Sequence, residues 1–278
     1  MSAIDTPGPG ASGALAGRLL SLRRYSGIVT LVILWQLATM WAGSFFFPTP
    51  LTILQTAGEL WFSGDPSHFF LTDAVFRDVL PSLGRLLAGW AIAVVLGVAL
   101  GLAIGGFRRL AEAAQPVLEF LRALPSPALI PVFLILLGTD STMRITLIVM
   151  GSLWPVLLNS IEGIRTLDQG QTDMARVFRL PPHARLFRIV LPAAMPHIFA
   201  GMRVSLAIAI ILMVVSELVA SSSGIGHAII DAQNTFQLAA MWANVLLLAL
   251  LGISLNGLFS LVENHVLYWH RAARRLAK

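Results

Sequence analysis

A chain that drives its own work with ATP needs a glycine-rich loop and a lysine, so that backbone N–H groups cradle the phosphates and the ammonium reaches the terminal ones. The only lysine here is Lys278, the last residue, and no phosphate loop can be built around it. An intramembrane serine protease would set its nucleophile in a Gly-x-Ser-Gly turn and take a histidine from another helix. Ser221-Ser222-Ser223-Gly224 lacks the leading glycine, and His227 follows too closely to come from elsewhere. The six histidines, His68, His183, His197, His227, His265 and His270, show no His-Glu-x-x-His or other metal-ligand spacing. With no cysteine in the chain, thiolate chemistry and disulfides are excluded. One ionisable group stands out, the carboxylate Glu217, close to the far end of an apolar run with Ser205 and Ser216 near one face of the same helix. Two readings of it stand: it faces a polar cavity within a bundle, or it snorkels to the membrane interface.

The elements that would position these groups are membrane spans. Of the 278 residues 56% are hydrophobic and 12% charged, and the mean hydropathy is +0.80, far too apolar for a soluble domain. The net charge of +5 suggests nucleic acid, but the arginines cluster at the ends of apolar runs, where the membrane explains them better. The runs fall at about 28–47, 83–107, 117–137, 143–161, 198–220 and 240–262, which makes an all-α, polytopic helical bundle of six transmembrane helices. In the second run Gly89, Ala93, Gly97, Gly101 and Gly105 form one face of small residues, as in close helix packing. Pro125, Pro127 and Pro131 must break or kink the third. Freed carbonyls at that depth are tolerated only beside protein or a water-filled path, so this run is a pathway candidate. Pro155 and Asn159 mark the fourth. The segment from Pro48 to Asp78 reads as a loop with some helix, a mildly amphipathic piece near Leu51 to Phe62.

Between the fourth and fifth runs lies the one long polar stretch, Asp168 to Pro192. Met174, Val177 and Phe178 recur at i, i+3, i+4 and predict a short helix with Asp173 in its first turn. Pro181 and Pro182 end it, and Pro182 suits the first position of a second short helix. On that helix Leu186, Phe187, Val190 and Leu191 share a side from which Arg185 and Arg188 point away. Such a helix-turn-helix lies on lipid headgroups or docks against another protein. With the N-terminus inside, the inner segments hold Arg18, Arg23, Arg24, Arg108, Arg109, Arg165, the four arginines of this stretch, Arg271, Arg274, Arg275 and Lys278. Outer loops hold Arg77, with Arg85 and Arg144 at span edges. The positive-inside rule therefore places both termini and the polar stretch in the cytoplasm.

This stretch resembles the conserved cytoplasmic loop of permease subunits of ATP-binding-cassette importers, in which Glu-Ala-Ala is followed by a glycine and then by Ile-x-Leu-Pro. Asp173-Met174-Ala175 corresponds to its front, and Phe187, Ile189, Leu191 and Pro192 are in register at its back. Arg179 stands where the family has glycine. We expect Leu180 and Pro181 to carry the turn instead, leaving Arg179 an ordinary C-terminal helix residue. Further pieces are similar to the nitrate, sulfonate and taurine branch: Ser82-Leu-Gly-Arg85, Ala123-Leu-Pro125-Ser-Pro127 to Pro131, Trp154-Pro155, Ser216-Glu217 and Gly224-Ile-Gly226.

The resemblance implies a cytoplasmic tail (1–26), a first transmembrane helix with an extracytoplasmic loop (27–75), a permease domain (76–263) and a basic cytoplasmic tail (264–278). It implies a pore of two permeases in the bacterial inner membrane, a homodimer, fed by an extracytoplasmic solute-binding protein. Separate ATPase subunits would bind ATP and Mg and dock on Asp173, Ala175, Arg179, Leu186, Phe187, Ile189, Leu191 and Pro192. Asn159, Ser205, Ser216 and Glu217 would line the path of a small solute, an anion such as nitrate, sulfonate or taurine. The alternative is a secondary transporter or channel. The lack of self-similarity between the halves counts against a repeat-built secondary transporter.

Overall fold

The computed structural model describes residues 12–167, 170, 174–175 and 177–269, with side chains from residue 26 onward. Much of both expected tails lies outside that set, as does Asp173. Among the described residues every regular element is helical. Within those residues four helices are long and apolar enough to cross a membrane, a bent pair makes a fifth candidate, and a shorter apolar helix occupies 26–42.

That shorter piece is the second half of α1 (Ser12–Ala42), which stops at Gly43, φ +54°. The helix α2 (Pro50–Phe62) begins where Thr49 Oγ1 accepts the Thr52 N–H at 3.2 Å, with Pro50 in the first position, where its missing donor costs nothing. Ile53, Ala57 and Trp61 recur every four residues and bury against Ala243 of α10 (Leu238–Val266). The amphipathic piece expected near Leu51 to Phe62 is thus this helix, packed on α10.

The centre is built by α3 (Leu80–Gly106), α6 (Ser141–Arg165) and α8 (Leu191–Ala220). A Cβ on Gly97 would lie 2.8 Å from Val156, and one on Gly101 2.4 Å from Ser160, so the small-residue stripe of α3 is where α6 approaches. The other side of α6 takes α8: a Cβ on Gly201 would meet Pro155 O at 2.6 Å. Leu86, Ile148, Ala209, Leu212 and Met213 close the layer among the three helices.

The proline-rich run breaks as its residues require. The amphipathic α4 (Arg108–Ala123) ends at Leu124 and Pro125, both extended, with ψ of 120° and 111°. A 3-10 turn (Ser126–Leu129) leads into α5 (Ile130–Leu137), and the two arms meet at 79°.

The second short helix expected after Pro182 does not stand alone. One turn, α7 (Pro182–Arg185), passes through a π turn (Leu186–Val190) directly into α8, giving one helical run over Pro182–Val219. A proline inside a helix clashes with the carbonyl four residues back. Here the Leu191 N–H reaches Leu186 O, a wider i to i+5 turn that makes room just before Pro192, so the helix continues. Another Leu-Pro pair is handled alike: a π turn (Val75–Val79) precedes Leu80-Pro81 and leads into α3.

Candidate functional site

Ionised groups buried in an apolar bundle must find partners, and this chain gathers them where α3 begins and α8 ends. Asp78, Ser82 and Arg85 sit at i, i+4, i+7 and continue the small-residue stripe of α3 toward its N-terminus. Arg85 Nη1 donates to Glu217 Oε1 at 2.6 Å, with side-chain exposures of 7% and 0%. The rest of the guanidinium is used as well: Nη1 reaches Ser223 O at 3.2 Å, Nη2 reaches Ser223 Oγ at 2.8 Å and Nε reaches Ser141 Oγ at 3.2 Å. Ser82 Oγ lies 2.7 and 2.8 Å from the two Glu217 oxygens, and it accepts the Ile225 N–H at 2.9 Å.

The backbone after α8 completes this cluster. Gly224, φ +122°, turns the chain into α9 (Ile225–Asn234). Gly224 N–H then donates to Asp78 Oδ1 at 3.0 Å and Gly226 N–H to Glu217 Oε2 at 3.1 Å. Three N–H groups at the start of α9 therefore meet two carboxylates and a hydroxyl, the arrangement the helix dipole favours. Only glycine fits at 224, because a Cβ there would stand 2.4 to 2.6 Å from the Glu217 carboxyl atoms. The Gly224-Ile-Gly226 motif is thus a cradle around Glu217. Glu217 does not snorkel; it is the best-enclosed charge in the cluster.

The other expected pathway residues are engaged inside the chain too. Ser205, fully buried, donates from α8 to Ser152 O of α6 at 2.6 Å, and buried Ser216 donates to Met213 O. Asn159, half-buried, donates to Pro155 O at 2.8 Å. Sequence reading treated Arg85 as a span-edge charge, although its spacing from Asp78 and Ser82 was a usable signal. It also passed over Arg203, which lies inside the fifth run. Arg203 Nη2 donates to Ser260 Oγ at 3.2 Å and to Glu263 Oε2 at 2.5 Å, joining α8 to α10.

At the opposite end, where α6 stops and α7 starts, the turn is made by Arg179 itself, which corrects the expectation for Leu180 and Pro181. Arg179 has φ +47°, and the Leu180 N–H returns to Ala175 O at 3.0 Å. That is a Schellman closure, which demands a left-handed residue at the position after the cap whatever its side chain. Pro181 is simply extended, with ψ 151°. Ala175 is buried, while Met174, Val177, Phe178 and Phe187 are 57 to 78% exposed. Leu186 and Val190 do not share a face with Phe187. They turn into a groove of about 770 Å³ shared with Leu102, Gly106 and Leu180. Ile189, Leu191 and Pro192 are half-buried.

With this geometry in hand, the relatives are informative. Residues 93–268 match the family described as binding-protein-dependent transport system inner membrane component. A putative aliphatic sulfonates transport permease of Bacillus subtilis is 34% identical over 81% of this chain and 78% of its own. A bicarbonate transport system permease of Synechococcus elongatus is 29% identical over 91% of each chain. A nitrate import permease of Synechocystis is 26% identical over 88% of this chain and 89% of its own. Among solved structures, the inward-facing methionine ABC transporter MetNI matches with a TM-score of 0.58 and 16% identity, over 73% of this chain and 98% of that one, a likeness of fold. The chain belongs to the binding-protein-dependent inner membrane components, and it is the permease subunit of an ATP-binding-cassette importer of the nitrate and sulfonate branch.

Proposed function

We propose that this permease carries a small oxyanion, that it pairs with a second copy of itself to enclose the path, and that separate ATP-binding subunits dock on residues 174–192. The cargo reading is supported by the names of its relatives, since sulfonates, bicarbonate and nitrate are all small anions. The observation that carries the docking reading is the set of exposed apolar side chains Met174, Val177, Phe178 and Phe187, gathered beside the exposed Arg179 and Arg185 at one end of the bundle. Apolar side chains this exposed, rimmed by cations, suit a partner that buries them and supplies carboxylates. Asp173, Ala175, Leu186, Ile189, Leu191 and Pro192 belong to the same docking segment. ATP and Mg reside on the partner, and a solute-binding protein delivers the anion at the other end.

We read six spans, counting α1 and the bent α4 and α5 pair as one each, which keeps both termini on one side, and the arginine asymmetry supports the cytoplasm as the side of both termini and the docking segment. Asn159, the half-buried member of the expected pathway set, sits at the α6 surface of the path. Ser205, Ser216 and Glu217 brace the helices behind it. The test is ATP hydrolysis by the purified ATP-binding subunits with and without this chain in proteoliposomes. Phe187→Ala should lower the stimulated rate at least tenfold, about 2 kcal/mol or more for a buried anchor, with the permease still folded. An unchanged stimulated rate would remove the docking assignment.

A further inference from the structure

An arginine half-open to its surroundings within an apolar span needs an aqueous or protein environment. Arg203 is such a residue. It lies in the helical run Pro182–Val219, five residues or roughly 8 Å inside the cytoplasmic start of the apolar stretch 198–220, and its side chain is 46% exposed although Glu263 and Ser260 hold Nη2. Both of these bonds run through Nη2. The exposed positions around it on α8 are Ala200, Ala207 and, further round, Val204 and Ile211, so small side chains leave the guanidinium uncovered.

Across from it, α10 departs from its otherwise apolar composition. Asn256, Ser260, Glu263 and Asn264 fall at i, i+4, i+7 and i+8, one polar strip on one face, and Asn256 and Asn264 are exposed. Asn256, inside the sixth apolar run, would carry an unsatisfied amide if it faced hydrocarbon, at a cost of several kcal/mol, while Glu263 and Asn264 follow that run at its cytoplasmic end. Facing a water-filled path, the strip offers N–H donors beside a fixed cation, which is the chemistry that meets an oxyanion. We infer that Arg203, with Asn256 and Ser260 opposite, lines the translocation path and forms the cationic station through which a small oxyanion passes. Glu263 sets the strength of that station: it orients the guanidinium and offsets enough of its charge for the anion to leave again. This inference rests on the reading of the cargo as an anion.

The absence of cysteine from the chain allows a direct test in the assembled importer in membrane vesicles. A single Ala207→Cys places a thiol next to Arg203 and leaves the arginine in place. Its rates of reaction with a sulfonate-bearing methanethiosulfonate and with a trimethylammonium-bearing one are then compared. The sulfonate reagent should be favoured about tenfold, as expected for unit charges a few ångströms apart in a wet site. The preference should disappear in Arg203→Gln, persist in Arg203→Lys and grow in Glu263→Gln. No reaction with either reagent would mean that this face lies against lipid or a second copy, with Arg203 reaching headgroups, and would overturn the proposal. A rate ratio indifferent to Arg203→Gln would overturn it equally. Coupled ATP hydrolysis by the same vesicles reports separately on whether the chain works as a permease.

Discussion

Arg85 and Glu217 stand 2.6 Å apart at the point where three helices meet, and each removes the other's reason to be in water. The pair ties α3 to the end of α8. Through Ser82, Asp78 and the N–H groups of residues 224–226, it also fixes the angle at which α9 leaves. The cluster is therefore a joint, in which a disturbance of one helix is felt by the other two.

Removing one member should be far worse than removing both. Glu217→Ala leaves a buried guanidinium without its counter-charge and should destabilise the permease by about 3 to 5 kcal/mol. Arg85→Met with Glu217→Leu should recover most of that loss. Thermal unfolding in detergent of the two single variants and the double variant measures the coupling, and additive losses would show that the pair does not act as a unit.

Gly224→Ala combines a disfavoured backbone with a methyl group pressed into the Glu217 carboxyl. The expected outcome is a loss of about 2 to 4 kcal/mol, from strain together with displaced hydrogen bonds. If the alanine variant unfolds at the same temperature as the parent, the cradle is looser than its geometry.

Arg179→Gly should stabilise the turn by roughly 1 kcal/mol, since glycine takes the left-handed conformation without strain. Arg179→Ala should give no such gain. Equilibrium unfolding of the two variants separates backbone relief from loss of charge, and equal effects would point to the charge.

Single cysteines at Ser63, Ser222 and Arg179 check the proposed orientation, because the first two positions are exposed near one end of the bundle and the third at the other. Impermeant thiol reagent applied to whole cells should label the first two and spare the third. Labelling of the third alone would invert the topology.

Hydropathy and glycine spacing by themselves determined that this is an all-helical membrane protein, where its proline-rich run must break, and which face of α3 packs closely on another helix. Those features are local: a run of apolar residues or a stripe of glycines acts wherever the chain carries it. The loop from 173 to 192 carried enough of its family's pattern to identify the chain as a permease. Tertiary structure decided the rest. Whether Glu217 reached for water or for a partner depended on Arg85, over a hundred residues away in the chain, and spacing along one helix does not reveal a neighbour on another. Arg203 was overlooked for the same reason, since its meaning lies in what α8 leaves uncovered and in the polar strip of α10 beside it. At Arg179 a proline-based account of the turn failed because the hydrogen bond from Leu180 to Ala175 imposes a left-handed residue. That demand belongs to the closed backbone, and the backbone met it with an arginine.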